Sequence, residues 1–343
     1  MADLPIVEGD VAFEAPNSGA PCKTWYKVVG NLASGPSPLV ALHGGPGGGH
    51  GYLGSLADLW VKYGIPVVFY DQVGCGRSTR FREKMGDVEF WSFDLFCKEL
   101  DNLIDHLELR KRGFSLLGHS WGGVLAATYA QRSPDGLQKL IIAGGPASIP
   151  LYEKSCAHLL SLLPSEARKT LEDCESKGDY ESPEYEKAAA EFYSRHVCRL
   201  PQPWPPEVQS CFDNLKEDST AYMTMCVHRG GRIKPPTTYT SRIHIILRKN
   251  LKLTRNSQGP AEFVVIGSLK GWEGWKQGHN IKVETLLLNG RYDEVTDACM
   301  EPWFRTIPRV RWVTLENSSH MAHFEDRDRF MQVCGTFISG TSP

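Results

Sequence analysis

The sequence predicts an α/β fold: a mostly parallel sheet with a helical cap inserted after the sixth strand. Three observations predict it. Short apolar runs alternate with stretches of helical periodicity, as a parallel sheet built from strand–helix–strand units requires. Several of those runs end in glycine-rich loops, and open parallel sheets bind their ligands at strand ends. From residue 147 to 225 the alternation stops, and helical stretches follow one another without a clear strand. The chain of 343 residues has room for one large domain, or one domain with an insertion.

Bulk properties narrow the partners. A hydrophobic content of 41% supports a sizeable core. A net charge of −2 argues against nucleic acid or an anionic membrane as the main partner. No apolar run approaches the roughly 20 residues of a membrane span. The opening Met1-Ala2-Asp3-Leu4-Pro5 has neither the basic nor the apolar region of a secretory signal. Ten cysteines are scattered without a Cys-x-x-Cys pair or zinc spacing. Reduced thiols, a cytoplasmic location and no metal or other cofactor are therefore expected.

Taken in order, Val11-Ala12-Phe13-Glu14 and Thr24–Val29 read as two antiparallel strands around the turn Pro16-Asn17-Ser18-Gly19. Pro38-Leu39-Val40-Ala41-Leu42 is the third strand and runs into His43-Gly44-Gly45-Pro46-Gly47-Gly48-Gly49. With no Lys-Ser/Thr behind it, this loop is not a P-loop. Its place directly after a strand favours an oxyanion loop over a flexible turn. Pro66–Tyr70 is the fourth strand, entering Asp71-Gln72-Val73-Gly74-Cys75-Gly76-Arg77-Ser78. Residues 92–109 carry helical periodicity, with Ser92 as the cap. Phe114-Ser115-Leu116-Leu117 leads into Gly118-His119-Ser120-Trp121-Gly122-Gly123, a helix follows, and Leu140-Ile141-Ile142-Ala143 is the sixth strand. In the insertion, residues 155–175, 183–198 and 206–225 read as helical, interrupted by the proline cluster 201–206. The sheet resumes at Val283–Leu288, and the last strand, Val310–Leu315, precedes a closing helix over 326–338.

Gly118-x-Ser120-x-Gly122 puts Ser120 on a sharp strand-to-helix turn, with glycines where such a turn is crowded. The helix beginning there supplies N–H donors and partial positive charge for an oxyanion. That pattern is weak when alone, because Gly and Ser are common in loops. It becomes specific with Asp293 just past the seventh strand and His320 just past the eighth. The order Ser, Asp, His is that of the α/β-hydrolase fold. Ser120 is then the nucleophile, His320 its base, and Asp293 the group that orients the imidazole. The backbone N–H of Trp121 and one from Gly44 or Gly45 are the expected oxyanion donors. Asp297 and His323 are the rivals for acid and base, but Asp297 lies further from its strand and His323 already approaches the last helix. His119 reads as a packed elbow residue rather than a base.

The four segments His43–Gly47, Asp71–Ser78, Gly118–Gly123 and Gly290-Arg291-Tyr292-Asp293-Glu294-Val295-Thr296 together resemble the proline iminopeptidase family, in particular its branch with the tricorn-interacting aminopeptidase and the L-amino-acid amidases. The resemblance covers nearly the whole chain. It implies release of an N-terminal residue, or hydrolysis of an amino-acid amide, through an acyl-enzyme, with a small peptide or amino-acid amide as the partner. It also implies two glutamates that receive the substrate ammonium: Glu262 in Gly259-Pro260-Ala261-Glu262-Phe263, and Glu294 directly after the aspartate. Glutamates are ordinarily solvated surface groups, and it is the double match that favours a receptor. Trp272 and Trp275 suit the wall of a side-chain pocket and the core of the cap equally well. Two other functions compete: an esterase or amidase acting on a larger metabolite without a free amine, and a silent binding protein, which the intact triad disfavours. An epoxide hydrolase or dehalogenase would carry Asp at the elbow.

These readings divide the chain into a core, 1–146 and 281–343, and a cap, 147–280. One segment of the cap stands apart. The resemblance implies that the helix ending Tyr222–Met225 runs almost directly into the Gly-Pro-x-Glu-Phe segment. Here 32 residues, Val227 to Gln258, separate them, with eight Lys or Arg and no Asp or Glu. A basic loop over the cap and a binding loop for an acidic partner are two readings. A translated intron fits better: every Val codon begins GT, Gln can be CAG, Leu253-Thr254 can be encoded CTGAC, and 32 codons keep the frame.

Overall fold

A computed structural model describes residues 4–177, 179, 182–227, 265 and 267–340. Glu262 and residues 228–258 of the basic segment lie outside the described residues.

Eight strands, β1 (Ile6–Phe13), β2 (Cys22–Val29), β3 (Leu39–Leu42), β4 (Val67–Tyr70), β5 (Phe114–His119), β6 (Leu137–Ala143), β7 (Glu284–Gly290) and β8 (Val310–Leu315), form one sheet. Their order is β1-β2-β4-β3-β5-β6-β7-β8. β1 with β2 and β2 with β4 are antiparallel, and every other neighbouring pair is parallel. The chain steps from β3 outward to β4, then crosses back over β3 to β5. That reversal is the topological switch point of the sheet, and it opens a crevice at the carboxyl ends of β3 and β5. The His43–Gly49 loop and the elbow emerge there side by side, with Leu42 paired to Gly118.

The central strands are buried on both faces, which is why they read as unbroken apolar runs. Alternate residues feed two separate cores. Val40, Leu42, Val68, Tyr70, Leu116, Leu140 and Ile142 pack on one side. Leu39, Ala41, Val67, Phe69, Leu117, Ile141 and Ala143 pack on the other. Each such Val, Leu or Ile contributes roughly 1.5–3 kcal/mol on burial.

Helix α1 (Asp58–Tyr63), α2 (Phe93–His106), α3 (Leu109–Arg112) and α4 (Trp121–Ala130) connect the strands. Ser92 caps α2, its hydroxyl accepting the N–H of Leu95. β1 begins at Ile6 rather than Val11. Its first residues lie on an exposed sheet edge, so ladder pairing with β2 rather than apolar alternation defines it.

The described residues between β6 and β7 include α5 (Ile149–Ser161), α6 (Ser165–Lys177), α7 (Pro183–His196) and α8 (Pro206–Glu217), and no strand. The single helix expected over 155–175 is two. Pro164 has no N–H to continue the ladder and biases Leu163 away from helical geometry, so the chain breaks there. Ser148 and Ser182 cap α5 and α7 through the N–H groups of Leu151 and Tyr185. These helices lie over the strand ends: the Asn214 side chain on α8 donates to the Gly48 carbonyl at 3.0 Å. On either side of the basic segment the chain closes on itself, with the Gly267 N–H donating to Cys226 and that of Leu269 to Met225. Among the described residues no helix is long and apolar enough to cross a membrane.

Candidate active site

Ser120 sits between β5 and α4 with φ 56° and ψ −123°. A non-glycine residue held there stores about 1–3 kcal/mol of strain, which the surroundings must offset. They do so by close packing: a Cβ at Gly118 would strike the Gly122 carbonyl, and one at Gly122 would strike that of Leu42. The Ser120 N–H is anchored to the Ala143 carbonyl at 2.9 Å. Its side chain faces a cavity of about 600 Å³, which Gly44, Gly45, Glu294 and His320 also line. No hydrogen bond joins Ser120 to His320 among the described residues. Nucleophile–base contacts of this type commonly tighten only once substrate is bound.

The His320 Nδ1 lies 2.8 Å from Asp293 Oδ1, and both groups are buried. Asp293 also accepts the N–H of Val295 at 2.8 Å. Burial disfavours a charged His320 ring, but the Asp293 carboxylate, with Glu294 and Glu325 beyond it, outweighs that and raises its pKa above the ordinary histidine value. The rivals are engaged elsewhere. Asp297 accepts from the Asn289 amide at 2.8 Å, and His323 bonds the Tyr52 carbonyl at 3.0 Å.

Two loops hold the crevice open. Trp121 is the first residue of α4, so its N–H has no partner within the helix. Gly44 and Gly45 are not equivalent. The Gly44 N–H donates to the Tyr52 hydroxyl at 2.6 Å, whereas the Gly45 N–H has no partner among the described residues. Gln72, from the loop after β4, ties this corner together. Its amide donates to the His43 carbonyl at 3.0 Å and accepts from the Trp121 indole at 2.9 Å.

His43, Asp71 and Cys75 bring donor atoms within 4.8 Å of one another, the arrangement of a small metal site. Their atoms are already committed. His43 Nε2 accepts the Gln72 N–H at 3.0 Å, and burial lowers its pKa to about 4. The Asp71 oxygens accept from His50 and from the Arg77 N–H. The cluster is a structural knot that fixes the two loops.

Glu294 lies just inside the cavity, its Oε1 3.9 Å from His320 Nε2. Its loop is held from the cap: the His196 carbonyl, at the end of α7, accepts the N–H of both Glu294 and His320, at 3.2 and 3.3 Å. The His196 ring bonds the Tyr292 carbonyl, and Ser155 donates to that of Glu294. Overhead, Tyr152, Tyr185, Tyr193, Trp204, Phe212 and Tyr222 line the cavity. Trp272 and Trp275 do not. Trp272 stacks on Phe93 and meets Trp303 edge-on, and both tryptophans pack against the core.

Comparison with known proteins gives the family. A family model described as the alpha/beta hydrolase fold matches residues 37–327. The proline iminopeptidase of Saccharolobus solfataricus is 37% identical over 318 residues, spanning 91% of this chain and 87% of that one. The chain belongs to the proline iminopeptidase family. It is thus a hydrolase, and crystal structures share its architecture. That of a Mycobacterium smegmatis proline iminopeptidase superposes with a TM-score of 0.80 at 31% identity, covering 97% of this chain and 98% of that one. That of VinJ gives 0.80 at 36% identity, covering 97% and 99%.

Tyr52, Gln72 and His196 escape sequence reading in this family member. The sole sequence signal for Gln72 is its place in the Asp71–Ser78 loop, and neither Tyr52 nor His196 carries one.

Proposed function

We propose that this protein cleaves the amide bond after an N-terminal amino acid, through an acyl-enzyme on Ser120. Ser120 Oγ attacks the scissile carbonyl carbon while its proton passes to His320 Nε2, and Asp293 stabilises the imidazolium. The oxyanion accepts from the N–H groups of Trp121 and Gly45. The Gly44 bond to Tyr52 is what favours Gly45 over its neighbour. As the C–N bond breaks, His320 returns the proton to the leaving amine. Water then attacks the acyl ester with His320 again as base, releasing the amino acid and restoring Ser120.

One observation carries the substrate reading: a carboxylate 3.9 Å from the base. In an amino-acid amide the α-nitrogen lies about 2.5 Å from the scissile carbonyl carbon, given standard bond lengths and angles. An ammonium receptor must therefore sit beside the base, where Glu294 is. Glu262 is proposed as its partner on the strength of the family resemblance. A neutral ester or acyl amide would gain nothing from that charge.

The division into a core, 1–146 and 281–343, and a cap, 147–280, belongs to the same reading. The core supplies the reacting groups, and the cap supplies the apolar wall for the substrate side chain. A cytoplasmic location fits ten free cysteines, nine of them buried. The test is a panel of amino-acid p-nitroanilides, amides and esters, each with a free and an acylated amine. Free-amine substrates should dominate, and preference for the acylated series would move the assignment to an esterase or amidase of larger metabolites.

A further inference from the structure

Beside the nucleophile, a buried hydrogen-bonded chain joins three segments of the fold; the roles above draw on its Tyr52–Gly44 bond but give His119 none. Tyr52 belongs to the 3₁₀ turn Gly51–Ala57 after the oxyanion loop. Its hydroxyl oxygen accepts the Gly44 N–H at 2.6 Å and lies 2.9 Å from His119 Nδ1. The other nitrogen of His119, Nε2, lies 2.8 Å from the backbone carbonyl oxygen of His320. Tyr52 and His119 are 1% and 2% exposed, so water does not complete these bonds.

Elementary chemistry sets the direction of each bond. A carbonyl oxygen only accepts, so His119 carries its proton on Nε2. In the neutral ring Nδ1 is then the acceptor, and the Tyr52 O–H donates to it. The Tyr52 oxygen keeps a lone pair for the Gly44 N–H. The ring stays neutral although its bond to the His320 carbonyl favours the charged form. Burial pushes the His119 pKa well below the ordinary value, and His320 and His323 push the same way. The His323 ring, 5.0 Å away between centroids, is itself lowered to about 3 by burial. The His119 and His320 rings lie 4.5 Å apart between centroids.

We propose that His119 is a positioning residue for the acyl-transfer site, locking the backbone of His320 to Tyr52 and, through Tyr52, to the oxyanion loop at Gly44. The proposal rests on the reading of Ser120 and His320 as nucleophile and base. It explains how two loops from opposite ends of the chain keep a fixed separation across Ser120, where an error of 1 Å is costly to the rate. It also commits the Gly44 N–H, which leaves those of Gly45 and Trp121 for the oxyanion in the proposed mechanism. Because His119 stays neutral, it adds no charge beside the imidazolium that forms on His320.

The experiment compares wild type with Tyr52→Phe, His119→Leu and His119→Gln, with Ser120→Ala as the labelling control. It reads the rate at which a fluorophosphonate probe labels Ser120, kcat and KM per titrated site on an amino-acid p-nitroanilide, and thermal unfolding. Labelling needs nucleophile, base and oxyanion donors but no substrate ammonium, so it is independent of the amine receptor. Tyr52→Phe and His119→Leu should slow labelling and kcat about tenfold to a hundredfold, with KM little changed. His119→Gln should recover most of the rate, because its amide can donate to the His320 carbonyl and accept from Tyr52. Unchanged labelling in Tyr52→Phe and His119→Leu overturns the proposal. A glutamine variant as slow as the leucine variant also overturns it, since shape rather than bonding would then matter. Should His119→Leu fail to fold, Tyr52→Phe removes one oxygen and no packing volume, and its labelling rate decides alone. The expected labelling pattern without turnover of any aminoacyl substrate supports the positioning role and counts only against the substrate reading. Labelling that survives Ser120→Ala overturns the nucleophile assignment and this proposal with it.

Discussion

On the floor of the cavity, the loops after β3, β4, β5, β7 and β8 engage polar atoms of one loop with those of another. Over its roof, α7 and α8 and the turns around them present five aromatic rings, Tyr185, Tyr193, Trp204, Phe212 and Tyr222, among small and charged side chains. Two tryptophans make the contrast concrete. The Trp121 indole on the floor donates to Gln72 at 2.9 Å. The buried Trp204 indole nitrogen on the roof has no hydrogen-bond partner among the described residues, and its ring stacks on Phe212. A hydrogen bond fixes the first ring, and aromatic stacking packs the second. The floor is therefore suited to fixed geometry and the roof to selection by shape and apolar contact. They meet at a few points, of which His196 is the most consequential because its carbonyl holds the loops of both Asp293 and His320.

The sharpest way to break the floor is Ser120→Ala. Folding should persist, and turnover should fall about 10⁴-fold or more, since no other group can form the acyl-enzyme. Retention of a tenth of wild-type activity in a purified variant would falsify the assignment of the nucleophile.

Asp293→Asn comes next, with a loss of about 10³- to 10⁴-fold in kcat and a diagnostic pH dependence. Catalysis needs His320 unprotonated in the free enzyme. Burial alone would lower its pKa, and Asp293, Glu294 and Glu325 together raise it instead. The acidic limb of kcat/KM should accordingly lie above the usual histidine value near 6.5, and removing the Asp293 charge should move that limb to lower pH. A limb that stays in place would show that Asp293 does not set the charge of the base.

Glu294→Gln sharpens the border between floor and roof. A charge-assisted hydrogen bond is worth about 1.5–3 kcal/mol, or roughly tenfold to a hundredfold in rate. That loss should fall on free-amine substrates and spare acetylated ones. Equal losses in both series would argue against an ammonium receptor.

The smallest effect is expected from deleting Val227–Gln258. The neighbouring described residues already pair, Cys226 with Gly267 and Met225 with Leu269, so the shortened chain has a ready closure. The deleted variant should be at least as stable as the full chain and more active. An inactive variant, or a dominant message that encodes the segment, would count against the translated-intron reading.

What was legible in the sequence follows the distance over which each feature is determined. Ser120, Asp293 and His320 each stand just past an apolar strand, and the glycines around Ser120 answer to a turn a few residues long. Local patterns of that kind also reveal the strands, the cap on α2 and the helical character of the insertion. The break at Pro164 was equally local, and proline chemistry accounts for it. The role of residue 119 was not local. Its identity as histidine is plain in the sequence, but its bonds reach Tyr52, 67 residues away, and His320, 201 residues away. The same holds for the commitment of the Gly44 N–H to a tyrosine hydroxyl from a later turn, on which the proposed preference for Gly45 rests, and for Trp272 and Trp275, which packing against Phe93 and Trp303 draws into the core. The sequence by itself determined the sheet, the turn at Ser120 and the placing of Ser120, Asp293 and His320 just past strand ends, because strand burial and tight turns constrain neighbouring residues. Only the tertiary structure decided which polar atoms meet beside Ser120, because those partnerships depend on how distant loops converge at the switch point of the sheet.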